Sequence, residues 1–320
     1  HTGRVSTPTA PTVAVVGAGS VGATTAYALL LTGVARRVVL HDINKAKLDA
    51  EVADLAHGVS FMPTGEIIGS DDVEVCRGAR IVVVTAGAKQ QPGQTRMELA
   101  GSTIALTERL LPRLVEVAPD ATYLMVTNPV DVVTYAALRY TGLPAHQLFG
   151  SGTVLDTARL RHEIAGRTGV AVQSVHAFVV GEHGDSEFPL WSSATIGGVP
   201  LLDWERQFGR LGEDERAEIT DRVVHAAYTI IAGKGATNYA IGVSAARIVE
   251  AVLRDERRVM PVSTLVSDYH GIDDVCLSVP TVVDGRGADR RLSMPFTDAE
   301  LAQLRGSAEA IRETARRFGL

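Results

Sequence analysis

The β-branched run Val13 to Val16 stops at Gly17 and leads straight into Gly17-Ala-Gly19-Ser-Val-Gly22, where a helical pattern from Ser20 to Leu31 begins. Glycine is common in this chain, with 31 residues, so the G-x-G-x-x-G spacing alone decides little. Its place between a strand and a helix decides far more, because each glycine then has a mechanical task. Gly17 permits a tight turn, Gly19 lets backbone approach a pyrophosphate, and Gly22 lets helix and sheet pack closely. The helix N-terminus adds unpaired N–H groups and partial positive charge for such a group. Asp42 closes the next strand pattern, 20 residues after Gly22. A carboxylate there accepts hydrogen bonds from an adenosine ribose and repels a 2′-phosphate, which favours NAD over NADP. The competing reading makes Asp42 a plain turn residue before Asn44, which caps the next helix. His41 reads as a strand-edge residue.

The pattern then repeats. Val38 to Leu40 predicts a second strand, Asn44 to Leu55 a helix stopped by Gly58, Ile81 to Thr85 a strand, Thr95 to Val117 a long helix and Tyr123 to Thr127 a further strand. Apolar strands without strict alternation, each followed by an amphipathic helix, predict a doubly wound parallel sheet covered on both faces. After about residue 150 the order changes. A helix over Leu155 to Thr168 precedes strand runs at Val175 to Val180 and Trp191 to Ile196, then helices at Asp214 to Ile231 and Tyr239 to Leu253. Strand runs at Pro261 to Val266 and Cys276 to Val283 come before a closing helix from Asp298 to Phe318. Clustered strands with segregated helices predict an α+β second domain. The expected organisation is a loose tail over 1–11, a nucleotide-binding domain over 12–150 and an α+β domain over 151–320.

Composition removes several function classes. The 320 residues are 46% hydrophobic and 21% charged, as in an ordinary globular protein with a real core. A net charge of −6 disfavours nucleic acid, whose binding needs a basic surface. No apolar run reaches the ~18 residues of a bilayer span, and the start shows no apolar signal core, so a cytoplasmic protein without membrane attachment is expected. Cys76 and Cys276 sit in apolar runs and read as core residues rather than as a disulfide framework. No His, Cys, Asp or Glu cluster has metal-ligand spacing, which argues against a metal-dependent hydrolase.

Gly181-Glu-His183-Gly-Asp-Ser-Glu187 places a histidine between glycines just after an apolar run. Upstream, Asp156 and Arg159 are spaced to share one helix face. A buried aspartate orients an imidazole and stabilises its cation, while an arginine grips a carboxylate bidentately. Taken alone, Asp156 and Arg159 read as an ordinary surface ion pair.

With these segments, Thr85-Ala-Gly-Ala-Lys-Gln90-Gln-Pro-Gly-Gln-Thr-Arg96, Thr127-Asn128-Pro-Val-Asp131 and Lys234-Gly-Ala-Thr237 complete an ordered set. From about residue 12 to 317 the chain resembles the L-lactate/L-malate dehydrogenase family. The resemblance implies a Rossmann-type first domain followed by a substrate-binding domain, with NAD as cofactor. It assigns His183 as proton donor and acceptor, Asp156 as its orienting partner and Arg159 as the clamp on the substrate carboxylate. Arg96, on a lid rich in Gly and Pro, polarises the carbonyl, and Asn128 contacts substrate beside the nicotinamide. Gly17, Gly19, Ser20, Val21, Gly22, Asp42, Thr85, Ala86, Gly87 and Asn128 are assigned to the cofactor.

Within the family, malate dehydrogenases carry arginine where this chain has Gln90. A neutral Gln90 leaves a second carboxylate unpaired and suits the methyl of pyruvate, with Thr237 limiting bulk on the opposite wall. The implied reaction is therefore interconversion of pyruvate and L-lactate, with malate or another 2-hydroxy acid as the alternative. Arg161 and His176 resemble the residues that bind fructose 1,6-bisphosphate in the bisphosphate-activated bacterial lactate dehydrogenases, which implies that effector and a homotetramer. Their alternative reading is an ordinary helix arginine and strand histidine.

Overall fold

Six short apolar runs build the sheet that carries everything else in the computed structural model, which describes residues 11–63, 65–87 and 96–320. They are β1 (Thr12–Val16), β2 (Arg37–His41), β3 (Glu66–Ser70), β4 (Ile81–Val84), β5 (Thr122–Met125) and β6 (Leu148–Gly150). All pair in parallel, in the order β3-β2-β1-β4-β5-β6. Helices α1 (Ser20–Leu31), α2 (Lys45–Gly58), α3 (Arg96–Val117) and α4 (Val130–Thr141) connect or flank them.

Both faces of the sheet are buried because its side chains alternate. Val13 and Val15 join a core with Ala26 and Leu29 of α1, whereas Ala14 and Val16 join one with Leu111 and Leu114 of α3. Helix α4 is the element least visible in the sequence. Every residue from Val130 to Leu138 is buried, so no polar face marks its period.

Beyond β6 the chain forms α5 (Val154–Thr168), β7 (Val175–His176), β8 (Val179–Val180), β9 (Phe188–Pro189), β10 (Thr195–Ile196) and β11 (Val199–Pro200). Helices α6 (Leu201–Phe208), α7 (Glu213–Val224), α8 (Ala226–Lys234) and α9 (Tyr239–Leu253) follow. Strands β12 (Arg258–Val266), β13 (Val275–Asp284) and β14 (Gly287–Arg291) precede the closing helix α10 (Asp298–Arg317).

Four expectations are refined here. Strands β12 to β14 do not form a sheet of their own; they add antiparallel to β6 through the Gly150–Ser263 pair and extend one sheet to nine strands. The expected strand over Val175 to Val180 is two strands, because β7 pairs with β10 and β8 with β9. Likewise the helix expected from Asp214 to Ile231 breaks at His225 into α7 and α8. His41 is interior rather than at an edge: it ends β2, is buried, and its Nδ1 lies 2.9 Å from the Ser70 carbonyl oxygen. Cys76 and Cys276 are both buried with free thiols, and burial pushes the Cys76 thiol up to about 12. Among the described residues, no helix is long and apolar enough to cross a membrane.

The C-terminal ends of β1 and β4 lie where the strand order reverses, the place in an open parallel sheet where a ligand crevice forms. Gly17 turns there with φ +106°, a conformation that glycine tolerates and side chains resist. A Cβ on Gly22 would stand 1.7 Å from the Gly17 carbonyl oxygen, so α1 and the turn are in direct contact. Gly22→Ala is expected to cost roughly 1–3 kcal/mol or more by overpacking. Gly19→Ala, whose Cβ would meet nothing within 4 Å, is expected to change stability by less than about 0.5 kcal/mol. Urea unfolding of both variants checks the contrast, and equal midpoints would mean that α1 does not press on the turn.

Candidate active site

The crevice has a side that suits a nucleotide and a candidate catalytic side. On the first, α1 begins at Gly19 without any side-chain cap, and its first internal bond runs from the Ala23 N–H to the Gly19 carbonyl. The preceding N–H groups of Ser20, Val21 and Gly22 are those a helix leaves without an internal partner. Asp42, just past β2, accepts N–H bonds from Ala18 at 2.7 Å and Asn44 at 2.8 Å, one on each carboxylate oxygen. Each oxygen keeps acceptor capacity for a hydroxyl. Thr85 ties the ends of β1 and β4 together by donating its hydroxyl toward the Val16 and Gly17 carbonyls, both at 3.1 Å. Thr127 does the same for Ala86 at 2.8 Å. The open space around Gly19, the uncapped helix start and the Asp42 carboxylate fit a dinucleotide with its pyrophosphate on α1.

The catalytic side is built by α5 and the loop after β8. Asp156 lies in the first turn of α5, and its side chain is 1% exposed. One of its oxygens accepts from Arg159 Nη1 at 2.8 Å, and the other lies 2.8 Å from His183 Nδ1. With the carboxylate ionised, Nδ1 carries a proton and donates it, which leaves Nε2 for exchange with a ligand. Burial alone would raise the Asp156 carboxyl, but His183 and then Arg159 outweigh it and hold it below the ordinary range. Burial works against the His183 cation, yet Asp156 and then Glu187 overcome it and raise the imidazole well above its ordinary 6.5.

The expected trio of Asp156, Arg159 and His183 is thus brought together. Asn128 is exposed at the end of β5, in a cis peptide bond with Pro129. Thr237 is half-buried between α8 and α9, and the adjoining Asn238 donates to Thr24 of α1 at 2.8 Å. Gln90 lies outside the described residues; Arg96 opens α3, and its side chain is outside them too. Arg161, on the other side of α5, reaches the carbonyl of the residue that follows His176. Arg161 Nε donates to the Ala177 carbonyl at 3.0 Å and its guanidinium lies 5.3 Å from the Phe178 ring centre, while His176 is exposed. Burial, and then Arg258, hold the Arg161 guanidinium below its ordinary range.

Two residues given no role in the sequence belong to this site. Glu187 lies 3.7 Å from His183 Nδ1, and burial pushes its carboxyl up to about 7 against the pull of His183. Asp131 is 2% exposed and accepts the His183 backbone N–H at 2.7 Å. Burial pushes its carboxyl up to about 6, with bonds from Ser263 and His183 resisting. Both stood in quoted motifs, but only the fold shows what they touch. The ligand atoms of Asp156, His183 and Glu187 also lie within 4.8 Å of one another, a cluster that linear spacing did not disclose. The Nδ1–Asp156 bond makes it a hydrogen-bonded proton site with an arginine at its edge.

Residues 12–150 match the NAD-binding domain of lactate/malate dehydrogenase, and residues 153–317 match the alpha/beta C-terminal domain of the same family. The chain is 55% identical over 318 residues to L-lactate dehydrogenase of Bifidobacterium animalis subsp. lactis, covering 98% of this chain and 99% of that one. It is 47% identical over 302 residues to L-lactate dehydrogenase of a Synechococcus species, covering 93% and 96%. Among solved structures, a minor L-lactate dehydrogenase from Enterococcus mundtii in ligands-bound form superimposes with TM-score 0.94 at 37% identity, covering 97% of this chain and 99% of that one. A lactate dehydrogenase from a Medee basin deep-sea metagenome library gives TM-score 0.94 at 35% identity, with the same coverage.

The His183–Asp156 bond makes a measurable claim about pH. Asp156, lowered, contributes stability above its ordinary 3.8 that is lost as pH falls through the folded-state value. His183, raised, contributes stability that is full below its ordinary 6.5 and is lost as pH rises through its folded-state value. The pair therefore stabilises most in the mildly acidic window between. Asp156→Asn is expected to lower the His183 pKa and flatten that dependence. An NMR titration of the imidazole C2 proton, assigned with His183→Gln, checks it; an unmoved signal would mean that the two groups are not coupled.

Proposed function

The chain belongs to the lactate/malate dehydrogenase family and uses NAD, and from that premise we propose that it interconverts pyruvate and L-lactate with His183 as the acid and base. The carrying observation is the buried carboxylate of Asp156 bonded at once to a histidine and an arginine. Residues 12–150 act as the nucleotide domain and 151–320 as the substrate domain of a cytoplasmic enzyme.

When bound, NADH supplies the hydride. The remaining work falls to side chains. Arg159 spends one N–H on Asp156 and keeps the others for two parallel bonds to the substrate carboxylate. Reduction turns the carbonyl into an alkoxide, which takes the Nε2 proton of the His183 imidazolium while Asp156 holds the ring. Arg96 polarises the carbonyl as the lid closes and excludes water. Asn128 contacts substrate beside the nicotinamide, and Gln90 and Thr237 leave room for a methyl but no cation for a second carboxylate.

The same proposal extends to regulation. Arg161 and His176 bind the phosphates of fructose 1,6-bisphosphate across a subunit interface of a homotetramer. Two observations support it: a guanidinium held near Arg258, and an exposed histidine beside the carbonyl that Arg161 grips. A guanidinium with another arginine nearby suits a polyanion. An effector favouring one quaternary state then raises substrate affinity by population shift.

One set of assays tests these roles. NADH oxidation is measured with pyruvate or oxaloacetate, with and without the bisphosphate. The parent is expected to prefer pyruvate, and Gln90→Arg to shift the ratio toward oxaloacetate by more than about tenfold, which is 1.4 kcal/mol of discrimination. Arg96→Ala is expected to lower kcat about 10²–10³-fold. A parent that prefers oxaloacetate would overturn the substrate assignment. Activation by the bisphosphate is expected to vanish in Arg161→Gln, and a monomer in ultracentrifugation with and without effector would sink the regulatory part.

A further inference from the structure

The proposed chemistry needs His183 in one place, and its ring is only half of what is held. Gly181, where the catalytic loop leaves β8, is clamped to β13 by reciprocal bonds with Ser278, each 3.0 Å. Its φ is +98°, and a Cβ there would stand 2.6 Å from Ser307 Oγ of α10, so this end of the loop has no freedom to shift. Two residues on, the His183 N–H points at Asp131 Oδ2, 2.7 Å away. The other oxygen, Oδ1, accepts the Ser263 hydroxyl at 2.6 Å and faces that of Ser278 at 3.5 Å. Asp131 thus gathers donors from the catalytic loop, β12 and β13.

A carboxylate 2% exposed is an expensive way to receive these donors. Its place in the first turn of α4 offsets part of that cost, because the helix N-terminus carries partial positive charge. Asp131 also lies three residues after Asn128, on the far side of the cis Asn128–Pro129 bond. We propose that Asp131 is the positioning residue that fixes the main chain of His183, and that it holds the Asn128 turn and the histidine in one frame. The inference rests on the reading of His183 as acid and base. Asp156 then orients the ring and Asp131 the backbone, so two buried carboxylates on two helices define one imidazole. A misplacement of about 1 Å at such a group costs on the order of 10² in rate, which sets the scale of the effect.

The test uses the full-length chain with Asp131→Ala, Asp131→Asn, Ser263→Ala and His183→Gln. Pyruvate-dependent NADH oxidation, NADH affinity by fluorescence and folding by circular dichroism are measured for each. Asp131→Ala is expected to fold, to bind NADH within about twofold of the parent and to lose about 10–100-fold in kcat. Asp131→Asn keeps an oxygen for the His183 N–H and an amide N–H for the Ser263 hydroxyl, so it is expected to recover to within about threefold. Asp131→Ala with parental kcat would overturn the inference, as would Asp131→Asn impaired as badly as the alanine variant. Where Asp131→Ala does not fold, Ser263→Ala carries the test. It removes one donor and is expected to lower kcat roughly 3–10-fold, about 1 kcal/mol, and an unchanged kcat overturns the proposal. An active His183→Gln would instead remove the acid–base reading. An inactive one beside an unimpaired Asp131→Ala would remove only the positioning role.

Discussion

The seam between β6 and β12 is the constraint on which the site depends. A Cβ on Gly150 would meet Thr134 Oγ1 at 2.6 Å and Ser263 Cβ at 3.0 Å, so only glycine lets the two strands and α4 meet. Gly152 is as tight, with its Cβ position 2.6 Å from the Ser263 N. Thr153 then closes the seam by donating its hydroxyl to the Val179 carbonyl at 2.6 Å and its N–H to the Pro261 carbonyl at 3.1 Å. This contact makes one sheet of two sequence halves. It also places the start of α5, the start of α4 and the loop after β8 around a common point. Asp156, Asp131 and His183 meet because the backbones behind them are already in contact.

The electrostatics follow from that packing. Three carboxyl groups lie around His183, those of Asp156 and Glu187 against its ring and that of Asp131 against its main chain, with the Arg159 guanidinium at the edge. In a largely buried site such a cluster does not bear three negative charges against two cations, His183 and Arg159. The balance is met unevenly: Asp156 stays ionised below the ordinary range, while burial raises Asp131 to about 6 and Glu187 to about 7. The carboxylate in direct contact with both His183 and Arg159 keeps its charge. The others have partners that are neutral or farther away. The imidazole consequently has one strong acceptor on Nδ1, and in the proposed reaction the proton that moves is the one on Nε2.

Much of this was legible in the sequence where local chemistry decides the outcome. Helix α1 occupies the stretch expected from Ser20 to Leu31, Asn44 caps α2 by accepting from the Lys47 N–H, and α9 runs as expected from Tyr239 to Leu253. What stayed hidden had no local signature. Helix α4 is buried all round as far as Leu138, β6 has three residues, and the polar stretch Gly287–Arg291 becomes a strand only because β13 offers it an edge. The break at Ala177 and Phe178 arises because the residues on either side pair with different partners. The trio of Asp156, Arg159 and His183 was readable as residue types in recognisable segments. Asp131 and Glu187 were not, since a carboxylate's role depends on what faces it, and the His183 N–H is 52 residues from Asp131 in the chain.

In the proposed reading, helix α5 carries residues of both functions on opposite sides. Asp156 and Arg159 are about 60° apart around its axis, while Arg159 and Arg161 are about 200° apart, at 100° per residue. One rigid element therefore presents Asp156 and Arg159 to His183 and Arg161 to the side lined by Ala177 and Phe178. Arg161 grips the strand that leads into β8, and β8 leads into the loop of Gly181 and His183. In the proposed regulation, an anion that pulls on Arg161 and His176 acts on both ends of the catalytic arrangement at once. It acts on Asp156 through the helix and on His183 through the strand. Coupling of this kind needs no long chain of contacts; it needs only that the helix and the strand move as bodies, which their buried packing ensures.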